Sequence, residues 1–153
     1  MMDDVIAAKF EITELIGRYG NALDSGDFDR LEAMFTDDAA FHVVPAEGVP
    51  PMRGGRAIRD TIEKRWKLVH RNAQRRHVMS NIVVESVDGD RARARTVLLV
   101  YEVAKAPGSE IHLHGMGVYE DVLARQDGRW CFAERRFILD RTDYFGPGWV
   151  SDK

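Results

Sequence analysis

YGNALDSGDFDRLEAMFTDDAAF, residues 19–41, changes period twice in a short span, and the rest of the fold follows from where it changes. Tyr19 and Leu23 continue a stripe begun by Val5, Ile12, Leu15 and Ile16, whose spacing predicts an amphipathic helix. Ser25-Gly26-Asp27 ends that helix and offers Asp27 as the cap of the next. The second helix is short, with Phe28, Leu31, Met34 and Phe35 turned inward. From Ala39 to Val44 the residues read as a strand.

Working outward, residues 45–55 are rich in proline and glycine and carry no period, which predicts a loop placed to cover a pocket mouth. A third helix is predicted from about Arg56 to Val69, with Ile58, Ile62, Trp66 and Val69 on one stripe. Four strand signals follow, over His77–Val87, Arg91–Ala104, Ile111–Ala124 and Arg129–Asp140. Asp88-Gly89, Pro107-Gly108 and Asp127-Gly128 separate them as a hairpin-linked meander. Helices first and strands afterwards indicate an α+β domain, in which a curved antiparallel sheet wraps the helices into a cone with one open end. The irregular aromatic tail, residues 141–153 with Tyr144, Phe145 and Trp149, is expected at a subunit interface.

Composition narrows the classes. With 153 residues, 44% hydrophobic and 31% charged, the chain suits a single domain with a substantial core. A formal net charge of −3 without a concentrated Lys/Arg block argues against nucleic acid as a partner. Cys131 is the single cysteine, so no intrachain disulfide can form, and a reducing cytoplasmic setting is expected. The N-terminus is acidic where a signal peptide is basic, and no apolar run reaches the roughly 18 residues of a membrane span.

The chemistry concentrates in Tyr19, Asp24 and His77. An imidazole near neutral pKa can take a proton, a carboxylate on its far nitrogen fixes its tautomer, and a phenol can donate to developing negative charge. Helical geometry sets positions five apart roughly 140° out of phase, so Tyr19 and Asp24 share a pocket only if the helix end turns toward the cone. Phe35, Phe41, Trp66, Met79 and Tyr119 are expected as apolar pocket walls suited to a ring. His112 and His114 form an H-x-H on a strand without an evident third ligand, so no metal site is expected. Cys131 lies between Trp130 and Phe132 and reads as packing, and Arg91, Arg93 and Arg95 as one solvated face.

The helix order, the DSGDFDRLEAMFTDDA stretch, RRHVMSN around His77 and the late YEDVLARQDGRWCFAERRF together resemble the SnoaL-like branch of the nuclear transport factor 2-like superfamily. In that branch scytalone dehydratase, bile-acid 7α-dehydratase and hexachlorocyclohexane dehydrochlorinase pair an aspartate at the end of the first helix with a histidine opening a strand. Asp24 and His77 stand in those places, and Tyr19 matches the bile-acid enzyme's phenol. Arg135 matches an arginine that assists a leaving anion in the dehydrochlorinase, although a one-residue slip would put Arg136 there instead. Asn81, four residues after His77, matches a substrate-orienting position. Ketosteroid isomerases of this fold carry a base aspartate where this chain has Phe41, His42, Val43 and Val44, which disfavours their reaction.

The resemblance implies a cofactor-independent lyase, of dehydratase or dehydrohalogenase type, acting on a hydrophobic cyclic molecule. An isomerase or cyclase would use the same residues. RRHVMSN and RRFILD are also similar to the noncatalytic small β subunits of aromatic-ring dioxygenases, and a binding module remains a further alternative. A homotrimer is implied, with a dimer as the other arrangement.

Overall fold

A computed structural model describes residues 2–44 and 50–140. Helix α1 (Met2–Ser25) and the short α2 (Phe28–Glu32) are followed by β1 (Phe35–Val44), β2 (Met52–Arg53) and α3 (Gly55–Val69). Four long strands complete the chain: β3 (Ala73–Asp88), β4 (Arg91–Ala104), β5 (Ile111–Gln126) and β6 (Arg129–Leu139). All six strands form one sheet in the order β2-β1-β6-β5-β4-β3.

The α1–α2 turn is built as its residues require. Gly26 takes φ +71°, a conformation open to glycine without steric cost, and the Asp27 carboxylate accepts from the Arg30 N–H as an N-cap. Trp66 of α3 packs over this turn, within 3.0 Å of where a Cβ on Gly26 would stand. Its ring also meets Phe28 edge to face at 5.6 Å. One glycine thus ends α1 and leaves room for α3 to cross it.

β3 to β6 form the expected antiparallel meander. In β4, Ala92, Ala94, Thr96, Leu98 and Val100 are buried while Arg91, Arg93 and Arg95 face out. The sheet is mixed rather than wholly antiparallel, because β1 runs parallel to β6, with Ala40 beside Glu134 and Val44 beside Ile138. The chain leaves β1, passes through α3 and the meander, and returns to β1's free edge in the same direction.

Two boundaries differ from the sequence reading. Met34 and Phe35 leave α2, which closes after Glu32, and β1 begins at Phe35. β3 starts at Ala73, so His77 lies inside the strand rather than at its first residue. The short β2, in the stretch read as loop, pairs with β1 through Ala40–Arg53 and Phe41–Met52. The remainder of that loop, 45–49, and the tail at 141–153 lie outside the described residues. No helix among the described residues is long and apolar enough to cross a membrane.

Candidate active site

Gly20 sets the distance between α1 and β3. A Cβ there would stand 3.2 Å from the His77 carbonyl oxygen and 3.3 Å from Met79 side-chain carbons, so any side chain at this position would need the strand or Met79 to give by a few tenths of an ångström. One helical turn later the chain reaches Asp24, directly over His77. The Asp24 carboxylate accepts from the backbone N–H of His77 at 3.1 and 3.2 Å and meets its Nδ1 at 2.8 Å. Arg76 Nη1 lies 3.8 Å from the other carboxylate oxygen. A carboxylate can only accept, so Nδ1 carries the proton, and the neutral ring keeps its lone pair on Nε2.

His77 stands in the wall of a cavity of about 90 Å³. Tyr19, Phe41, Trp66 and Tyr119 are in the same wall, as the sequence suggested, joined by Leu23, Ile62, Leu98, Val100 and Phe137. The cavity surface is mostly apolar. Tyr19 and His77 line the same cavity, while Asp24 does not line it and meets it only through its contact with His77.

Tyr19 is 1% exposed, its ring edge-on to Tyr119 at 5.9 Å and to Phe132 at 5.6 Å. Burial pushes its phenol above the ordinary value, against the pull of the Arg135 charge and a hydrogen bond with Tyr119. It therefore stays protonated at neutral pH and is available as a donor. Burial raises Tyr119 further, assisted by the neighbouring Tyr19.

Arg135 settles its register against Arg136: it points inward and is 0% exposed, while Arg136 is exposed. It does not reach the cavity wall. Its Nε and Nη2 donate to the two oxygens of Asp121, its cross-strand neighbour, at 2.8 and 2.9 Å. The guanidinium carbon lies 4.2 Å from the Tyr19 ring centre and 3.9 Å from those of Tyr119 and Phe132. Burial opposes its charge, but Asp121 outweighs burial and keeps it protonated. The arginine sits behind the tyrosines, where it acts on their electrostatics.

Other expected wall residues fall elsewhere. Phe35 is buried in the core against Tyr19, Phe41 and Phe132. Met79 packs under α1 at Gly20. Asn81 is exposed at a bulge in β3, with φ +47°, where a strand residue leaves the ladder. Neither its position four residues after His77 nor its side-chain chemistry revealed the bulge.

The wall also holds Arg65, His70, Arg75 and His114, which the sequence reading did not place there. For His70 a signal was available: it continues the Ile62–Trp66 stripe by four more residues. Glu102, on β4 opposite His112, supplies the third group that H-x-H lacked, and one ligand atom from each of Glu102, His112 and His114 lies within 4.8 Å of the others. Arg75 already engages this trio, with Nε 2.7 Å from Glu102 Oε2 and Nη2 2.8 Å from His114 Nε2. Burial would raise Glu102, but the Arg75 hydrogen bond and charge hold it below the usual carboxylate range. His114 is lowered by burial and then by Arg75.

Residues 4–136 match the SnoaL-like domain family. The chain belongs to that family. It is 26% identical over 143 residues to the anthranilate 1,2-dioxygenase small subunit of Burkholderia cepacia, covering 87% of each chain. Among solved structures it resembles an NTF2-like protein with a cystatin-like fold from Novosphingobium aromaticivorans, at TM-score 0.77 and 26% identity over 90% of this chain and 84% of the other. A scytalone dehydratase candidate from the same organism superposes at TM-score 0.78 and 24% identity, over 98% and 96% of the two chains, which shows the shared fold. The resemblance read from DSGDFDRLEAMFTDDA is thereby placed: this SnoaL-like domain has the NTF2-like, cystatin-like architecture.

Proposed function

We propose that this SnoaL-like protein is a cofactor-independent lyase that removes water or a halide from a hydrophobic cyclic molecule. The observation that carries the reading is the 2.8 Å contact between His77 Nδ1 and Asp24, with His77 in the wall of an apolar cavity. His77 Nε2 takes a proton from carbon, and the C–H electron pair becomes the new double bond as the neighbouring C–O or C–halogen bond breaks. Asp24 stabilises the imidazolium, and Tyr19 donates to the departing oxygen or to a carbonyl gathering enolate charge. In dehydration the imidazolium proton returns to the departing hydroxide, which leaves as water. In dehydrohalogenation the halide leaves and the proton passes to solvent. Arg135 acts through Tyr19 and Tyr119 as a positioning residue. Isomerisation would use the same base and donor with no group lost.

A turnover screen of hydroxylated and halogenated rings tests the reading. His77→Ala is expected to reduce turnover by about 10²–10⁴-fold. Full turnover in that variant would sink the mechanism.

The likeness to the Burkholderia small subunit supports a second reading, a noncatalytic β subunit. It predicts copurification with a larger partner, and assembly that survives Asp24→Asn. For the lyase we propose a homotrimer or dimer.

A further inference from the structure

His70 lines the same cavity but takes no part in the Asp24–His77 pair. It caps α3, its backbone N–H donating to the Trp66 carbonyl at 2.8 Å, and its ring stacks on Trp66 at 4.3 Å with planes 9° apart. Nδ1 lies 3.2 Å from that same carbonyl. A carbonyl only accepts, so Nδ1 carries the proton and Nε2 is a bare acceptor. Lys105 Nζ, bonded to the His70 carbonyl at 2.5 Å, holds the segment in place. The residue is 6% exposed, belongs to the cavity wall, and Nε2 finds no hydrogen-bond partner among the described residues. A buried acceptor left unmet costs free energy that a bound donor can recover.

The surrounding charge says which donor. Arg65 and Arg75 share the wall with His70, and no aspartate or glutamate of the described residues lines it. Arg75 is paired with Glu102 at 2.7 Å, while burial and the nearby Arg75 push Arg65 down to about 9, so an oxygen that gathers negative charge beside Arg65 would favour its charged form. An oxygen that gives up proton density to His70 and gathers negative charge suits both features. An ether, having no proton, suits neither.

From this we infer that His70 is a ligand-binding residue that reads an acidic hydroxyl, of phenol or enol class, on the molecule the cavity takes: the O–H donates to Nε2, and Arg65 favours the charge growing on oxygen. The inference rests on the cavity being a small-molecule site, as the lyase reading holds, but not on any turnover there.

The test is equilibrium binding of 2-naphthol, 2-methoxynaphthalene and 2-naphthoate to the full chain by calorimetry. The wild type is expected to bind the naphthol roughly tenfold more tightly than its methyl ether. His70→Phe keeps a ring to stack on Trp66 but removes the acceptor, and should bind naphthol and ether alike. His70→Gln restores an acceptor and part of the preference. Imidazole ¹⁵N spectra of the wild type give a reading free of folding effects in any variant, because the His70 Nε2 resonance should move with naphthol and stay still with the ether. Equal affinity for naphthol and ether in the wild type, or an unmoved resonance, would overturn the inference. So would tightest binding of naphthoate with no effect of His70→Phe, since charge alone would then be read. Turnover lost in His77→Ala bears on the lyase alone, and naphthol preference bears on His70 alone.

Discussion

At the scale of single residues, the site separates charge that moves from charge that stays. Asp24 is bound to both the ring and the backbone of His77, so the ring cannot turn without losing a 2.8 Å contact. Asp24→Asn keeps the size but lacks a charge for the imidazolium, and a loss of about 10²-fold or more in turnover is expected, with an unfolding midpoint close to wild type. Tyr19→Phe leaves the ring contacts and removes the donor, so it should lower turnover with little change in stability. Asp121→Asn is predicted to act chiefly on stability. It would strand the wholly buried Arg135, and chemical denaturation should show a loss of about 3–5 kcal/mol. Acid should also act through the wall histidines. His70 is lowered from 6.5 by burial and by Arg75, although the Trp66 carbonyl opposes the shift, and His114 by burial and Arg75. For bases with depressed folded values, the unfolded chain takes up protons first. Their stabilising effect is full above 6.5 and is lost as pH falls below it toward the folded values. Urea midpoints between about pH 7.5 and pH 5.5 should therefore drop, and drop less in His70→Phe.

At the scale of elements, the dyad is a property of how α1 packs on β3. Gly20→Ala gains about 1 kcal/mol of helix propensity, yet its Cβ meets a strand carbonyl at 3.2 Å that cannot move without disturbing β3. Met79 can rotate away; the His77 carbonyl is tied to the ladder. The expected outcome is near-wild-type stability with a marked loss of turnover, because a shift of a few tenths of an ångström falls directly on the Asp24–His77 contact. A variant with unchanged turnover would show that the helix has slack. The Asp24–His77 contact was legible in the sequence because Tyr19, Asp24 and His77 lie on elements whose periods are strong, and the family resemblance supplied the pairing. Asn81 was misjudged because spacing along β3 cannot reveal a bulge, and a break in the ladder changes which face a side chain takes. Met79 lies before that break, on the face of His77, and is taken up by the approach of α1 at Gly20. Arg135 was assigned to the right face, but depth within the core depends on Asp121, a partner one strand away. The parallel β1–β6 pairing joins segments far apart in sequence, and no local pattern encodes it.

At the scale of the whole molecule, one sheet face carries exposed apolar side chains that no other described residue covers. Val78 is 41% exposed, Tyr101 38% and Leu113 49%. The ladder makes Tyr101 and Leu113 direct neighbours across β4 and β5, and Val78 stands one strand over on β3 beside Leu99. Outward positions on a half-solvated antiparallel sheet are ordinarily polar, as Arg91, Arg93 and Arg95 are at the other end of β4. The same strand therefore changes from a charged to an apolar outer surface along its length. That change argues for a partner surface over the apolar end, and the proposed self-association places a second copy there. Sedimentation velocity should find the wild type larger than a monomer at micromolar concentration. Val78→Asp combined with Leu113→Asp puts two carboxylates on the patch without touching the cavity wall, and should give a folded monomer with an unchanged far-ultraviolet spectrum. An oligomer that survives both substitutions would move the interface elsewhere, and a wild type that is already monomeric would leave the patch for a different chain, as the β-subunit reading requires.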